Sequence, residues 1–252
     1  MTAIAHDTVT DVPVSIPSND VCLEADWSIP DNPRGVVLFA NCSNRSRFNA
    51  KNRVIARRLL DAGFATVLVD LFTPDEEIED ALTGALRLDI ALLAERISAA
   101  AEWTRADPEL SHLPIGCIAS GVASAGALAA ASRNPDLFVA IVSKHGRPDL
   151  AGVRLHKVRT PTLLLVGDSD NRCRELNRWA LRRLDCEKEL DTLVGASHHF
   201  EEAEALDRAA NIAASWFRKF MPVTRMKSFF SVNWTDRRSN SFSFGKPGLA
   251  LR

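Results

Sequence analysis

Short apolar runs that alternate with amphipathic segments are the feature that most constrains how this chain can fold. GVVLFA at 35–40, FATVLVDL at 64–71 and TLLLVG at 162–167 are continuously apolar rather than alternating in hydrophobicity. Runs of this length are typical of strands that are buried on both faces, and their separation by helical segments indicates βαβ units. We therefore predict an α/β fold in which helices cover both faces of a mostly parallel sheet.

The same pattern predicts eight strands and five helical segments. The other expected strands are VPVSI at 12–16, VCLEADWSI at 21–29, PIGCIA at 114–119, LFVAIVS at 137–143 and KELDTLV at 188–194. The first two should pair as an antiparallel hairpin, because only the turn-forming PSND separates them. The helices are expected at 50–62, from the TPDEE turn to about Ala106, at 122–134, at 174–184 and at 201–220. Gly84 is expected to bend or break the second of these helices.

Length and charge limit the number of domains and the classes of partner. The 252 residues fit one large domain, and we expect a flexible N-terminus at 1–10, an α/β domain at 11–220 and a tail at 221–252. The net charge of −1 gives no reason to expect nucleic acid or a membrane as a partner. The tail contains six basic residues, one acidic residue and several aromatic ones. It is either an arm for an anionic partner or a flexible end, and we favour the flexible end.

The cysteines and the first residues of the sequence indicate in which cellular compartment the protein is expected. The five cysteines are scattered without a CxxC pair, which argues against both a disulfide framework and a structural zinc site. The first residues lack the basic and apolar regions of a signal peptide, and no apolar run reaches the length of a membrane span. We therefore expect a cytoplasmic protein. No cofactor or metal is expected, because no phosphate-cradling glycine motif and no cluster with metal-ligand spacing occurs.

Three polar loops follow three of the predicted strands. The turn around Gly121 follows the fifth strand, GDSDN with Asp168 and Asp170 follows the seventh, and GASHHFEE with His198 and His199 follows the eighth. Ligands of open α/β sheets bind at the carboxyl ends of strands, so these loops should share one crevice. The chain order of nucleophile turn, acid and histidine is that of α/β-hydrolases.

Several stretches carry a family resemblance. They are GVVLFANCSNRSRFNAKNRVIA, VDLFTPDEE, PIGCIASGVASAGAL, VSKHGRPDLAG, PTLLLVGDSD and GASHHFEE. On these stretches the chain resembles the α/β-hydrolase superfamily, and within it the dienelactone-hydrolase-like branch, over roughly residues 10–220. The resemblance implies that Asp170 orients a general base, His198, and that the loop Asn41–Asn44 partly builds an oxyanion hole. The alternative is that Asp170 only caps the following helix and that His198 bonds to backbone.

The nucleophile position of the resembling family coincides with a glycine. A nucleophile elbow has small residues on either side of the nucleophile, and the window here is Ala119-Ser120-Gly121-Val122-Ala123. Gly121 permits the sharp turn but has no reactive atom. Ser120 comes one residue early, and Ser124 comes nearly one helical turn late. The spacing therefore favours neither serine as a replacement.

The loop after the third strand departs from the resembling family as well. That loop is usually rich in histidine and glycine, whereas Asn41-Cys42-Ser43-Asn44 contains no glycine. Cys42 is conceivable as a substitute nucleophile, but no neighbouring residue in the sequence marks it as activated, so an idle thiol is the preferred interpretation. The candidate ligand-binding residues are Asn41, Cys42, Ser43, Arg47 and Val122.

We therefore expect a hydrolase homologue that has lost its nucleophile and binds a ligand with little or no turnover. The alternative is an active carboxylic-ester or lactone hydrolase that uses Ser120, Ser124 or a water molecule with His198 and Asp170. A third hypothesis is an adaptor that binds nucleic acid or an anionic surface through the tail. The expected partner is an ester-like or anionic small molecule. Four cationic residues in and after the oxyanion loop suggest either an anionic group on that ligand or a solvated helix start: Arg45, Arg47, Lys51 and Arg53.

Overall fold

The fold is built around one eight-stranded sheet, seen in a computed structural model that describes residues 10–42 and 46–222. The strands are β1 (Val12–Ser18), β2 (Val21–Ser28), β3 (Val36–Asn41), β4 (Ala65–Asp70), β5 (Ile115–Ser120), β6 (Ala140–Lys144), β7 (Thr162–Gly167) and β8 (Lys188–Leu193). Every residue of β4, β5, β6 and β7 is buried. Burial on both faces explains why these strands do not alternate between apolar and polar residues.

The strands lie in the order β1-β2-β4-β3-β5-β6-β7-β8. Strand β2 is antiparallel to β1 and to β4, and every other neighbouring pair is parallel. The predicted α/β architecture with a mostly parallel eight-stranded sheet is therefore confirmed. Because β3 to β8 run in one direction, their carboxyl ends lie along one edge, where the loops that follow them can meet.

Residues 10–42 and 46–222 contain seven α-helices, the last of which follows the final strand. They are α1 (Ala50–Asp61), α2 (Pro74–Thr83), α3 (Ala85–Leu88), α4 (Ile90–Ala106), α5 (Ala123–Arg133), α6 (Asn171–Arg183) and α7 (Ala203–Phe220). The segment expected as one helix up to Ala106 is divided in three, because Gly84 ends α2 at φ 66° and the Asp89 carboxylate caps α4. The sequence did not predict the 3₁₀ segment Pro148–Lys157, which is interrupted at Gly152.

Two apolar layers separate the helices from the sheet. On one face α1 and α7 pack together, and Ile55 and Phe217 belong to their shared core. On the other face α4 and α5 pack together over a core that includes Leu93 and Leu128. These two helices approach closely at Gly126, where an added Cβ would lie 2.7 Å from the Leu93 Cβ. A glycine is therefore required at this contact.

Helix α2 is fastened to α4 by a buried arginine. Thr73 and Glu76 form a reciprocal capping box at the start of α2. The Arg96 guanidinium donates to Glu76 Oε2 at 2.7 Å and to the carbonyl oxygen of Leu71 at 2.6 Å. These contacts hold the pKa of the Glu76 carboxyl below its usual value, mainly through the hydrogen bond from Arg96.

The described part of the chain ends just after α7. Met221 is buried, and an added Cβ at Gly116 in β5 would lie 2.4 Å from its Cε. Apart from Thr10, Met221 and Pro222, the predicted N-terminal and C-terminal segments lie outside the described residues, so their assignments remain predictions. Among the residues that the structure does describe, no helix is both long enough and apolar enough to cross a bilayer.

Candidate active site

One cavity of about 580 Å³ lies where the loops after β3, β5, β6 and β8 meet. Eight residues that the sequence singled out line it: Asn41, Cys42, Lys51, Ser120, Gly121, Val122, His198 and His199. The expectation that the loops after β5 and β8 share a crevice agrees with this geometry. A separate cavity of about 600 Å³ beside α6 is lined by Trp179 and five charged or aliphatic residues, with none of the predicted site residues among them.

Asp170 and His198 form a pair beside this cavity. The carboxylate Oδ2 of Asp170 contacts Nδ1 of His198. The other carboxylate oxygen, Oδ1, accepts a hydrogen bond of 2.9 Å from the backbone N–H of Cys173 and so caps α6. Asp170 therefore caps α6 and contacts His198 at the same time, and its role as the orienting acid of a general base stays a prediction. The pairing leaves the Nε2 atom of His198 free of Asp170.

Gly121 occupies a sharp turn between β5 and α5. Its φ is +57°, in the left-handed region that favours glycine, and its carbonyl oxygen accepts a bond of 2.9 Å from the N–H of Arg147. A Cβ added to Gly121 would meet no described atom within 4 Å. The backbone of a nucleophile elbow is thus present, and it borders open space where a side chain would project.

The two nearby serines occupy different environments. Ser120 is the last residue of β5 and lines the cavity, although only 4% of it is exposed. Within the described part of the chain, no hydrogen bond joins it to His198. Ser124 is fully buried in α5, and its Oγ donates to the carbonyl oxygen of Ala119 at 3.0 Å. Ser124 therefore does not reach the cavity.

The oxyanion loop is only partly described. Asn41 and Cys42 line the cavity, whereas Ser43 and Asn44 lie outside the described residues. Burial raises the pKa of the Cys42 thiol, although a backbone hydrogen bond from Ala123 opposes this effect. A raised pKa keeps the sulfur protonated at neutral pH, which makes it a poor nucleophile.

Arg47, expected to bind a ligand, is not among the residues that line the cavity. Its guanidinium pairs with Asp70 at 3.0 Å and with Asp26 at 3.4 Å, and it also contacts Glu24. Arg53 likewise pairs with Asp26, at 2.7 Å. Neighbouring carboxylates therefore neutralise both cations, and the ligand-binding role of Arg47 stays a prediction.

Among the cations that the sequence suggested for an anionic ligand, Lys51 lines the cavity. Its Nζ donates to the carbonyl oxygen of His199 at 3.2 Å and lies 3.9 Å from a carboxylate oxygen of Glu201. Arg45 is outside the described residues. Lys51, on α1, is therefore the member of this set that the structure places at the cavity, and its role toward an anionic ligand stays a prediction.

Lys144 and His145, for which the sequence predicted no role, also line the cavity. Lys144 is buried, and its Nζ donates to Asn52 Oδ1 at 3.2 Å. Burial, together with the nearby charge of Lys51, lowers the pKa of Lys144 to about 8. The signal that could have found both residues is their position at the carboxyl end of β6, directly beside β5.

His145 has an unusual backbone and an unusual environment. Its φ is +40°, in the region that side-chain-bearing residues rarely adopt. Burial lowers the pKa of His145 well below its ordinary value, and the charge of Lys144 lowers it further. The pKa of His199 is lowered as well, chiefly by burial and then by His198. These imidazoles are therefore neutral bases at neutral pH.

His145, His198 and His199 form a histidine cluster. The ring centroid of His145 lies 5.4 Å from that of His198 and 5.2 Å from that of His199. The ring centroids of His198 and His199 are 4.4 Å apart. One nitrogen from each ring lies within 4.8 Å of the others, which is a spacing that could hold a metal ion. Asp170, Cys173 and His198 form a second group of this kind. The sequence did not predict either group, because each one joins His198 to residues that follow another strand: His145 after β6, or Asp170 and Cys173 after β7.

Comparison with known families identifies one match. The model of the dienelactone hydrolase family matches residues 23–229. Two proteins of Mycobacterium tuberculosis, from strains CDC 1551 and H37Rv, are each 39% identical over 216 residues, and their names provisionally describe them as phosphoribosyl transferases. The alignment includes 85% of this chain and 48% of each relative. The chain thus spans about half the length of the curated relatives it matches.

Solved structures show similarity over most of the chain. A dienelactone hydrolase from Anabaena variabilis has 40% sequence identity and a TM-score of 0.81, covering 84% of this chain and 99% of its own. A dienelactone hydrolase-like promiscuous phosphotriesterase from metagenomic libraries has 21% identity and a TM-score of 0.70, covering 84% and 98%. Est1E from Butyrivibrio proteoclasticus has 12% identity and a TM-score of 0.67, covering 82% and 98%. The last two are similar in fold alone.

Proposed function

The chain belongs to the dienelactone hydrolase family, and we propose that it binds a small anionic ligand in the cavity without a seryl nucleophile at position 121. In this proposal the protein keeps the hydrolase fold, the elbow turn and the Asp170–His198 pair, while ester turnover by serine chemistry is absent or weak. The cytoplasmic location expected from the sequence belongs to the same proposal. It is supported by the five cysteines, all of which are free thiols.

The observation that carries the proposal is the combination of conformation and space at Gly121. The φ of +57° is one that a glycine adopts without strain and that a serine adopts only at a cost, and open space lies where a Cβ would project. A seryl side chain would therefore fit without a clash, so packing does not explain the glycine. Without a hydroxyl, His198 has no proton to accept at this position, and nucleophilic catalysis of the family's kind lacks its first step.

The anionic nature of the ligand is supported by the cations around the cavity. Lys144 is buried beside Asn52, and its amine pairs with no carboxylate among residues 10–42 and 46–222. Lys51 adds a second amine from α1. A buried cation without a countercharge is unfavourable, and an anionic ligand that enters the cavity would relieve that cost.

Covalent labelling tests the loss of the nucleophile. We expect that a fluorophosphonate probe will not label the wild-type protein, because position 121 lacks an oxygen. Gly121→Ser should be labelled, and the double variant with His198→Ala should lose that labelling, because the general base is removed. Stoichiometric labelling of the wild-type protein would contradict the proposal.

A second candidate function is ester or lactone hydrolysis by Ser120, and it rests on the position of this residue at the cavity wall. It predicts labelling of the wild-type protein that Ser120→Ala abolishes. Ser124→Ala is the matched control, because Ser124 is buried and bonded to Ala119. Labelling that survives both changes would contradict hydrolysis by either serine.

Calorimetric titration with inorganic phosphate tests the ligand class. Phosphate is a suitable probe because the names of the curated relatives refer to a phosphoribosyl group, which carries a phosphate. We expect Lys51→Met to weaken phosphate binding. Arg57→Met is the control, because Arg57 lies on the same helix but pairs with Asp61. Equal binding by the two variants and the wild-type protein would place phosphate outside this cavity.

A further inference from the structure

We propose that the histidine cluster is a binding site for a divalent transition-metal ion of the Zn²⁺ type, with His145, His198 and His199 as ligands and an open coordination position that faces the cavity. This inference goes beyond the proposed function, since it concerns a site that neither anion binding nor the loss of the nucleophile requires.

His145 provides the first argument. Its φ of +40° places a side-chain-bearing residue in a backbone region that costs on the order of 1 kcal/mol or more, and such strain tends to occur at functional sites. The Nδ1 atom of His145 is buried, and no described group forms a hydrogen bond with it. A buried imidazole nitrogen without a partner is unfavourable, and a metal ion would satisfy its lone pair.

The geometry of the three rings provides the second argument. In a tetrahedral site with Zn–N bonds of about 2.0–2.1 Å, two ligand nitrogens are about 3.3 Å apart. One nitrogen from each of the three rings lies within 4.8 Å of the other two, so a closure of about 1.5 Å or less is needed. His199 is exposed and can rotate, whereas His145 and His198 are more enclosed. The ring of His199 is therefore the one expected to move on metal binding.

Asp170 provides the third argument. A histidine that binds zinc usually directs its second ring nitrogen to a carboxylate, which fixes the ring and raises its basicity. His198 already has this arrangement, because Asp170 contacts Nδ1 and leaves Nε2 for the metal. Three imidazoles with one position left open are typical of Zn²⁺ sites that bind a water or a substrate, and Mg²⁺ and Ca²⁺ prefer oxygen ligands instead.

Calorimetric titration of the full, chelator-treated chain with ZnCl₂ tests the site. We expect one Zn²⁺ per chain, with an affinity that falls about tenfold or more in His145→Gly and in His199→Ala. Glycine suits a φ of +40°, so His145→Gly should fold at least as well as the wild-type protein, and a thermal melt checks this. His156→Gln is the control, because His156 lies on the 3₁₀ segment and faces Asp185.

Equal Zn²⁺ affinity in His145→Gly and wild-type protein would overturn the inference. Co²⁺ substitution distinguishes the two candidate groups, because cobalt bound by the histidine cluster shows no thiolate-to-metal charge-transfer band. Appearance of that band would place the metal at Asp170, Cys173 and His198, or at another cysteine, and would likewise overturn the inference. The titration contains no substrate or fluorophosphonate, so its outcome is independent of the labelling test at Gly121.

Discussion

Replacing Lys144 with methionine should stabilise the folded protein at neutral pH while it removes anion binding. The Lys144 amine is buried and donates a hydrogen bond to Asn52 Oδ1 at 3.2 Å. No carboxylate among the described residues forms an ion pair with it. Its pKa falls from the ordinary 10.5 to about 8, chiefly because burial disfavours the charged form. Methionine is similar in length and uncharged, so it can occupy the same space without this penalty.

The expected magnitude follows from the pKa of Lys144. One pKa unit corresponds to about 1.4 kcal/mol, so the change from 10.5 to about 8 corresponds to about 3 kcal/mol. Below pH 8 the amine is protonated in the folded and the unfolded chain, and the folded state bears the full penalty. Between pH 8 and 10.5 the unfolded chain binds more protons, so the stability of the wild-type protein rises with pH. The advantage of the variant should therefore be largest below pH 8 and shrink above it.

Urea denaturation at pH 7 and at pH 9.5 measures this effect. We expect Lys144→Met to have the higher midpoint at pH 7 and a smaller advantage at pH 9.5, whereas Lys51→Met, whose side chain is 33% exposed, should differ little from the wild-type protein at either pH. Inorganic phosphate should raise the midpoint of the wild-type protein and leave that of Lys144→Met unchanged. A variant that is less stable at both pH values and still responds to phosphate would refute the reasoning.

Two further predictions concern the helices that flank the sheet. Arg96→Met should lower the free energy of unfolding by about 2–3 kcal/mol in urea denaturation, because the charged hydrogen bonds to Glu76 and the Leu71 carbonyl oxygen are lost. The pKa of Glu76 is lowered in the folded state, so its contribution is present above its ordinary pKa of 4.5 and is lost as the pH falls through the folded-state value. The difference in unfolding free energy between Arg96→Met and the wild-type protein should therefore be smaller at pH 3 than at pH 7. An equal difference at the two pH values would contradict this. Gly126→Val should lower the melting temperature by several degrees, because its Cβ would lie 2.7 Å from the Leu93 Cβ, and an unchanged melt would show that α4 and α5 can separate at little cost.

The sheet could be predicted from the sequence because its strands are defined by local pattern. The runs that became β5 and β7 are continuously apolar, and burial of every residue is the structural counterpart of that pattern. The subdivision of the α2–α4 segment was only partly foreseen. Gly84 is a local signal, but the capping role of Asp89 depends on where the preceding short helix ends.

The candidate site could be predicted only where chain order and strand ends were informative. Asp170 and His198 follow adjacent strands, so their proximity was expected. His145 follows β6, two strands from β8, and its approach to His198 depends on the path of the β8 loop. The ion pairs of Arg47 could not be predicted for a related reason, since the carboxylates that pair with it come from β2 and β4 rather than from its own segment.

The two oxygens of the Asp170 carboxylate make different contacts, and this bears on why an acid is present at this position. One oxygen secures the first turn of a thirteen-residue helix, and the other steadies an imidazole. A protein of this fold without a seryl nucleophile would still gain about 1 kcal/mol of folding stability from the helix cap that this acid provides. The helix that it caps is thus a sufficient reason for an acid at this position, whether or not that acid also serves a reaction.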